Sequence, residues 1–167
     1  NTGKPNVLFL EYVGDPKKKK TVFKSDLYYT GDKAYKDEDG YTWFVGRDDD
    51  VIKASDYRVG PFEVESILLE HESVVESAVV GSPHAVKGFV VKAFIILNAG
   101  YDPDQKNADK IFAFAKKNLA VYKTPRIIEF VNELPKTISG KIRRVELRAN
   151  EALRKAQHQK GQHEYYF

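Results

Sequence analysis

The pattern of apolar and polar positions changes character near residue 50. Before it, short aromatic and β-branched runs alternate with turn residues. "LYYTGDKAYKDEDGYTWFVG", residues 27–46, sets such runs either side of Asp37-Glu38-Asp39-Gly40. Asp-Gly between strand-like runs predicts a hairpin. Val7–Glu11 is strand-like as well, so residues 1–46 are expected to form short strands. Arg47-Asp48-Asp49-Asp50 interrupts the pattern, because adjacent carboxylates repel, resist burial and favour a turn.

Beyond this break the periods lengthen. Val51–Ala54 reads as a strand. Gly60-Pro61 opens a helix, with Pro61 suited to its first turn and Val64, Ile67 and Leu68 on one face. Val74–Val80 and Phe89–Leu97 are nearly continuous apolar runs and predict buried strands. Ala108, Ile111, Phe112, Ala115 and Leu119 recur at helical spacing across 105–119, and Ile127–Val131 is a further strand. A last amphipathic helix puts Val145, Ala149, Ala152, Leu153 and Ala156 on one side. The tail "HQKGQHEYYF", residues 158–167, has no period and is expected to be loosely held. The predicted fold class is α+β: a small domain with helices over one face of a short sheet, after a β-rich piece.

Composition narrows the class. The chain has 167 residues, 42% hydrophobic and 31% charged, as a globular protein does. No apolar run approaches the ~18 residues of a membrane span, and no signal-peptide pattern opens the chain. With no cysteine there is neither a disulfide framework nor a thiolate metal site, which fits the cytoplasm or another reducing compartment. Asp37–Gly40 lacks the remaining ligands and closing glutamate of a calcium loop, so no metal site is predicted. A net charge of +3 argues against a dedicated nucleic-acid binder. The charge is uneven, however: Lys17 to Lys20 form a run, and Lys141, Arg143, Arg144, Arg148, Arg154 and Lys155 cluster late. Such a cluster is either a solvated face or a seat for a polyanion. The chain enters Val7–Glu11 with no methionine before it, and reads as a piece of a longer protein.

One cation stands in a distinctive setting. In "ELPKTISGKIRR", residues 133–144, Thr137, Ser139 and Gly140 make a loop. Gly140 permits a positive φ, so Lys141 is expected at the tip of an ordered turn, offered to a phosphate or carboxylate. It is not a P-loop, because the first glycine and the Ser/Thr after the lysine are missing.

Three stretches, in order and spacing, resemble the adenylate-forming enzymes, which include acyl-CoA synthetases. They are "YYTGD" at 28–32, "GRDDDVIKASDYRVGPFEVE" at 46–65 and "YKTPRIIEFVNELPKTISGKIRR" at 122–144. "FVGRDDDVIK" and "RVGPFEVES" look closest to the medium-chain acyl-CoA synthetases. The resemblance covers nearly the whole chain. It implies that residues 1–47 end a large N-terminal domain that binds ATP and acyl group. By the same likeness 48–50 are a hinge and 51–160 a small mobile C-terminal lid; 161–167, which show no period, are expected to be a flexible tail.

The resemblance also implies a chemistry. A carboxylic acid, such as a fatty acid, joins ATP as acyl-adenylate with release of pyrophosphate. CoA then takes the acyl group and AMP leaves. Lys141 matches the catalytic lysine, Asp32 the carboxylate that receives the ribose hydroxyls, and Arg47 an arginine on ribose and phosphate. Asp49 matches the hinge pivot. Arg58, Lys87 and Lys116 match cations that meet CoA. Lys123, Arg126, Arg143 and Arg144 are read as general surface charge or electrostatic support, and Asp48 and Asp50 as solvent-exposed. Mg2+ is expected with ATP, held by residues of the absent domain. An acetyltransferase and deacetylase acting on Lys141 are implied partners. The chain departs from the family at Asp56, where glycine is usual. Aspartate there adds bulk and negative charge beside a polyanionic ligand, which bears on the CoA step. Two other readings remain: an adenylating domain that loads a carrier protein, and a non-catalytic basic α+β binding module.

Overall fold

The computed structural model describes residues 12–24 and 27–167. The strand expected at Val7–Glu11 lies outside the described residues. The chain divides into two compact units, one ending at Asp49 and one running from Asp50 to Phe167.

The first unit is not built of strands alone. Helix α1, Pro16–Val22, takes up the Lys17–Lys20 run. The Asp15 side chain accepts from the Lys18 amide and Pro16 occupies the first turn, so a cap and a preset φ start a helix where strands were expected. Strands β1, Phe23–Lys24, and β2, Leu27–Tyr28, then pair antiparallel. Strands β3, Asp32–Lys36, and β4, Thr42–Arg47, form the expected hairpin. Gly40 turns it at φ +90°. Asp37 closes it, accepting from the Tyr41 amide at 2.8 Å and the Trp43 indole at 2.6 Å. The indole hydrogen bond is the chief reason the Asp37 carboxyl lies below its ordinary range. The acidic run is thus a turn device.

In the second unit, β5, Ile52–Ala54, pairs antiparallel with β6, Tyr57–Val59, and helix α2 follows at Pro61–Leu69. Strands β7, Val74–His84, and β8, Gly88–Leu97, form a long antiparallel hairpin. Helix α3, Gln105–Asn118, starts on an Asp104 cap and crosses to β9, Ile127–Phe130, which lies parallel to β8. Helix α4, Arg144–Ala156, precedes β10, Glu164–Tyr166. β8 is the hub, paired with β7 and β9 and touching β5 at Ala54–Gly88.

Helices cover both faces of this sheet, not one. Val79, Val91, Ala93 and Ile95 share a core with Val64 and Leu68 of α2 and with Ile111 and Phe112 of α3. The alternate positions Ala78, Val80 and Phe94 pack with Leu134 and with Leu147 of α4. Continuous apolar runs are two-faced strands, and a two-faced strand needs cover on each side.

Two further expectations are corrected. The side of α4 carrying Val145, Ala149, Ala152, Leu153 and Ala156 faces outward, with Val145 61% and Leu153 58% exposed. Its inner side presents Leu147 and Glu151 and the half-buried Arg144, Arg148, Arg154 and Lys155. The charges point inward because carboxylates from other elements meet them there. Residues 161–167 are likewise no loose tail. β10 pairs antiparallel with β9, placing Tyr165 opposite Ile128, and Tyr165 packs on Phe130 at 5.6 Å between ring centres.

Candidate functional site

The β3–β4 register sets Asp32 opposite Arg47. Gly31, at φ +82°, bends the entry so closely that a Cβ there would lie 3.3 Å from the Arg47 guanidinium. Arg47 donates to the Thr30 carbonyl at 3.2 Å and to Asp49 at 3.3 Å, and its Nη1 lies 3.9 Å from Asp32. The first unit therefore brings Asp32, Arg47 and Asp49 together at one hairpin end, half-exposed. Two carboxylates around one arginine leave acceptor oxygens on Asp32 available to hydroxyl donors. Asp48 is exposed, as expected, and pairs with Lys33 at 3.2 Å.

Lys141 stands on a tight turn of the second unit. Lys136 and Ile142 form an isolated antiparallel bridge, and the Thr137 amide donates to the Lys141 carbonyl at 2.8 Å. Gly140 takes φ +80° and donates to the Thr137 carbonyl. The Thr137 hydroxyl accepts from the Lys141 amide at 3.1 Å. Thr137 and Gly140 thereby hold the lysine backbone in the turn. The side chain is exposed, and its ammonium makes no ion pair among the described residues.

Asp50, expected in solvent, is instead largely covered, its side chain 11% exposed. Arg148 bonds its carboxylate, and Arg144 Nη1 lies 3.8 Å away. Arg144 also grips Glu65 of α2 through two nitrogens, at 2.6 and 3.1 Å, and lies 4.5 Å above the Phe62 ring. Glu65 accepts the Val79 amide at 2.7 Å. Arg144 is thus an internal tie and not general surface charge.

The expected CoA cations separate. Lys87 lies in the β7–β8 turn and lines a cleft of ≈ 260 Å³ together with Ser55, Tyr57, Tyr122 and Arg126. Tyr57 and Tyr122 stack at 4.2 Å across it. Lys116 does not line this cleft; its ammonium lies 5.5 Å from the Phe167 ring, which Arg126 also faces at 5.4 Å. Arg58 is exposed on β6, pointing away from Tyr57 by strand alternation. Asp56 sits in the β5–β6 turn, but the left-handed residue is Ser55, at φ +54°. A two-residue hairpin turn puts its positive φ on its first residue here, so Asp56 meets no backbone penalty. The Lys141 turn and this cleft lie at opposite ends of β7. Lys136 reaches Glu76 at 2.7 Å near its start, and Lys87 follows its end, roughly 25 Å on.

A charged centre beneath α4 went unforeseen. Lys92 is 0% exposed, and its ammonium lies 2.5–2.7 Å from Glu129, Glu151 and Glu164. Arg154 pairs Glu129 through two nitrogens, Lys155 pairs Glu164, and Ser82 donates to Glu151. A Cβ on Gly161 would overlap the Glu129 carboxylate. Three acids and three bases balance. Burial disfavours the Glu164 anion, but hydrogen bonds from Lys155, Lys92 and Tyr166 outweigh it and hold its pKa at about 2. The three glutamates are near enough for a metal ion, but Lys92 fills that place. The signal for this centre was present: a lysine inside "VVKAFIIL" and a glutamate inside "IIEF", each in a run otherwise apolar.

Residues 63–141 match the AMP-binding enzyme C-terminal domain family. Residues 63–141 thus carry an AMP-binding enzyme C-terminal domain. It is 59% identical over 164 residues to 4-hydroxybutyrate--CoA ligase 1 of Metallosphaera sedula, covering 98% of this chain and 29% of that one. It is 55% identical over 150 residues to the mitochondrial acyl-coenzyme A synthetase ACSM3 of Rattus norvegicus, covering 89% and 26%. In structure it is similar to the anthranilate CoA ligase AuaEII in complex with anthranoyl-AMP, at a TM-score of 0.80 and 42% identity over 88% of this chain and 28% of that one. ATP-bound MatB from Rhodopseudomonas palustris gives 0.74 and 33%, over 86% and 28%. The chain spans less than a third of the length of the curated relatives it matches.

Proposed function

We propose that this chain is the C-terminal part of an AMP-forming acyl-CoA ligase, with residues up to 47 ending the large domain, 48–50 the hinge and the rest the mobile lid. In the first step a carboxylate oxygen of the acid attacks the α-phosphorus of ATP, and the bond to pyrophosphate breaks. In the second, the CoA thiol loses its proton and attacks the acyl carbon, and AMP departs. The observation that carries this reading is the Lys141 turn: its backbone is fully engaged and its ammonium is left to act. Two anions meet in the first step, and a fixed cation between them lowers that barrier. A compact charge on a long stem suits the task.

Asp32 would receive the ribose hydroxyls, with Arg47 beside it. The cleft of Lys87, Arg126 and the stacked tyrosines would take part of CoA, with Lys116 near and Arg58 on the neighbouring strand. Mg2+ would arrive with the phosphates of ATP. The one close trio of carboxylates among the described residues does not fit it, being filled by Lys92. The acid itself is taken to be a fatty or other small carboxylic acid.

The test is Lys141→Ala in the full ligase. Acyl-adenylate formation, followed by ATP–pyrophosphate exchange, is expected to fall by a factor on the order of hundreds, as loss of one placed charge at a developing transition state does. Thioester formation from preformed acyl-adenylate should persist. Equal loss in both steps would make Lys141 structural and remove the reading.

A further inference from the structure

Two routes lead from the hinge into the second unit. One is the backbone. Residue 50 runs directly into β5, and β5 carries the Ser55–Asp56 turn and touches Gly88 beside Lys87. The cleft is thus tied to the hinge through continuous chain and sheet hydrogen bonds. The other route is made of side chains. The Lys141 turn lies more than 85 residues further along the sequence, and α4 starts immediately after it, at Arg144. Arg148 and Arg144 of that helix hold Asp50. Arg144 in turn holds Glu65, which is itself fixed by the Val79 amide. Glu65, Arg144 and Asp50 are all nearly buried, with side chains 8%, 10% and 11% exposed.

We infer that Asp50, Arg144, Arg148 and Glu65 are positioning residues that set where the Lys141 turn stands relative to the hinge. A lever turned at residues 48–50 delivers Lys141 correctly only if α4 is fixed to the pivot end of that lever. The Asp50–Arg148 pair provides that fixing, and Arg144 with Glu65 locks the same helix end against α2 and β7. The cleft with Lys87 does not depend on this clamp, because β5 and β8 join it to the hinge. Loosening the clamp therefore separates the two half-reactions, which a general loss of stability does not do. This inference rests on the ligase reading proposed above.

The experiment uses the full-length ligase with Asp50→Asn, which keeps the shape and removes the charge. ATP–pyrophosphate exchange with the acid is expected to fall by a factor on the order of 10 to 100, the effect of a small misplacement of a reacting group. Thioester formation from preformed acyl-adenylate and CoA should be unchanged, which also reports that the lid is folded. Arg148→Lys should recover part of the exchange rate that Arg148→Gln loses, because the charge is restored without the fork. Should Asp50→Asn fail to fold, the half-exposed Arg148 pair of variants is read in the same way. Loss of both half-reactions together in folded variants, or loss of neither, overturns the clamp while the wild type still supports the ligase reading. A wild-type enzyme that forms neither acyl-adenylate nor thioester removes that reading itself.

Discussion

At the scale of single residues, burial reverses what the charges suggest. Arg144, Arg148, Arg154 and Lys155 read as a solvated face or a seat for a polyanion, and each is instead paired with a carboxylate inside the second unit. Lys92 is the extreme case. Its ammonium is enclosed by three glutamates and lies 4.8 Å from the Phe94 ring. Removing one partner from a buried ionic group costs about 3–5 kcal/mol, because the remaining charges stay buried without compensation. Lys92→Met is therefore expected to lower unfolding free energy by that amount in urea titration. A cost under about 1 kcal/mol, the worth of an exposed pair, would show that water reaches the centre. The sequence signalled Lys92 and Glu129 by placing a charge inside each apolar run. It could not show that they meet, since their partners come from α4 and β10.

At the scale of elements, strands were easier to read than faces. β7, β8 and α3 follow from unbroken apolar runs and a clean helical period. α4 was identified as a helix, but its buried side was misassigned, since ion pairing outranked apolar content there. β10 left no period because three residues are too few to show one, and its attachment is electrostatic as well as backbone. Glu164 supplies a pH dependence. Its folded pKa of about 2 lies below its ordinary value of 4.5, so its stabilisation is complete above pH ~4.5 and is lost as pH falls toward 2. Lys155 is raised, burial opposing and the hydrogen bonds it donates to Glu164 and Tyr166 prevailing. Its contribution is present in the neutral range and fades only in strong alkali. Acid should therefore release β10 before the rest of the sheet. Amide protection factors at Tyr165 should fall between pH 4.5 and 2 while those at Ile95 hold. Simultaneous loss at both positions would mean that β10 is not a separate element in acid.

At the scale of the whole molecule, the boundary between the units coincides with a change in anchoring. Asp49 bonds to Arg47 of the first unit, and Asp50 to Arg148 and Arg144 of the second. Successive carboxylates thus hold opposite sides of one peptide link. The sequence showed the break as a run of three aspartates, though it suggested that all three were equally solvated. Rotation at this link is what the ligase reading needs, since Lys141 and the Lys87 cleft sit at opposite ends of β7. On that reading each would face the large domain in its own step. Proline fixes φ near −65°, so Asp49→Pro in the full ligase should hold one pose and leave one half-reaction. If the held pose is the adenylating one, ATP–pyrophosphate exchange persists while thioester formation from preformed acyl-adenylate falls. The reverse pattern identifies the other pose as the one held. Asp50 and its arginines are untouched by this change, so the second unit should unfold at its wild-type temperature. A proline variant fully active in both steps would show that the pivot lies elsewhere.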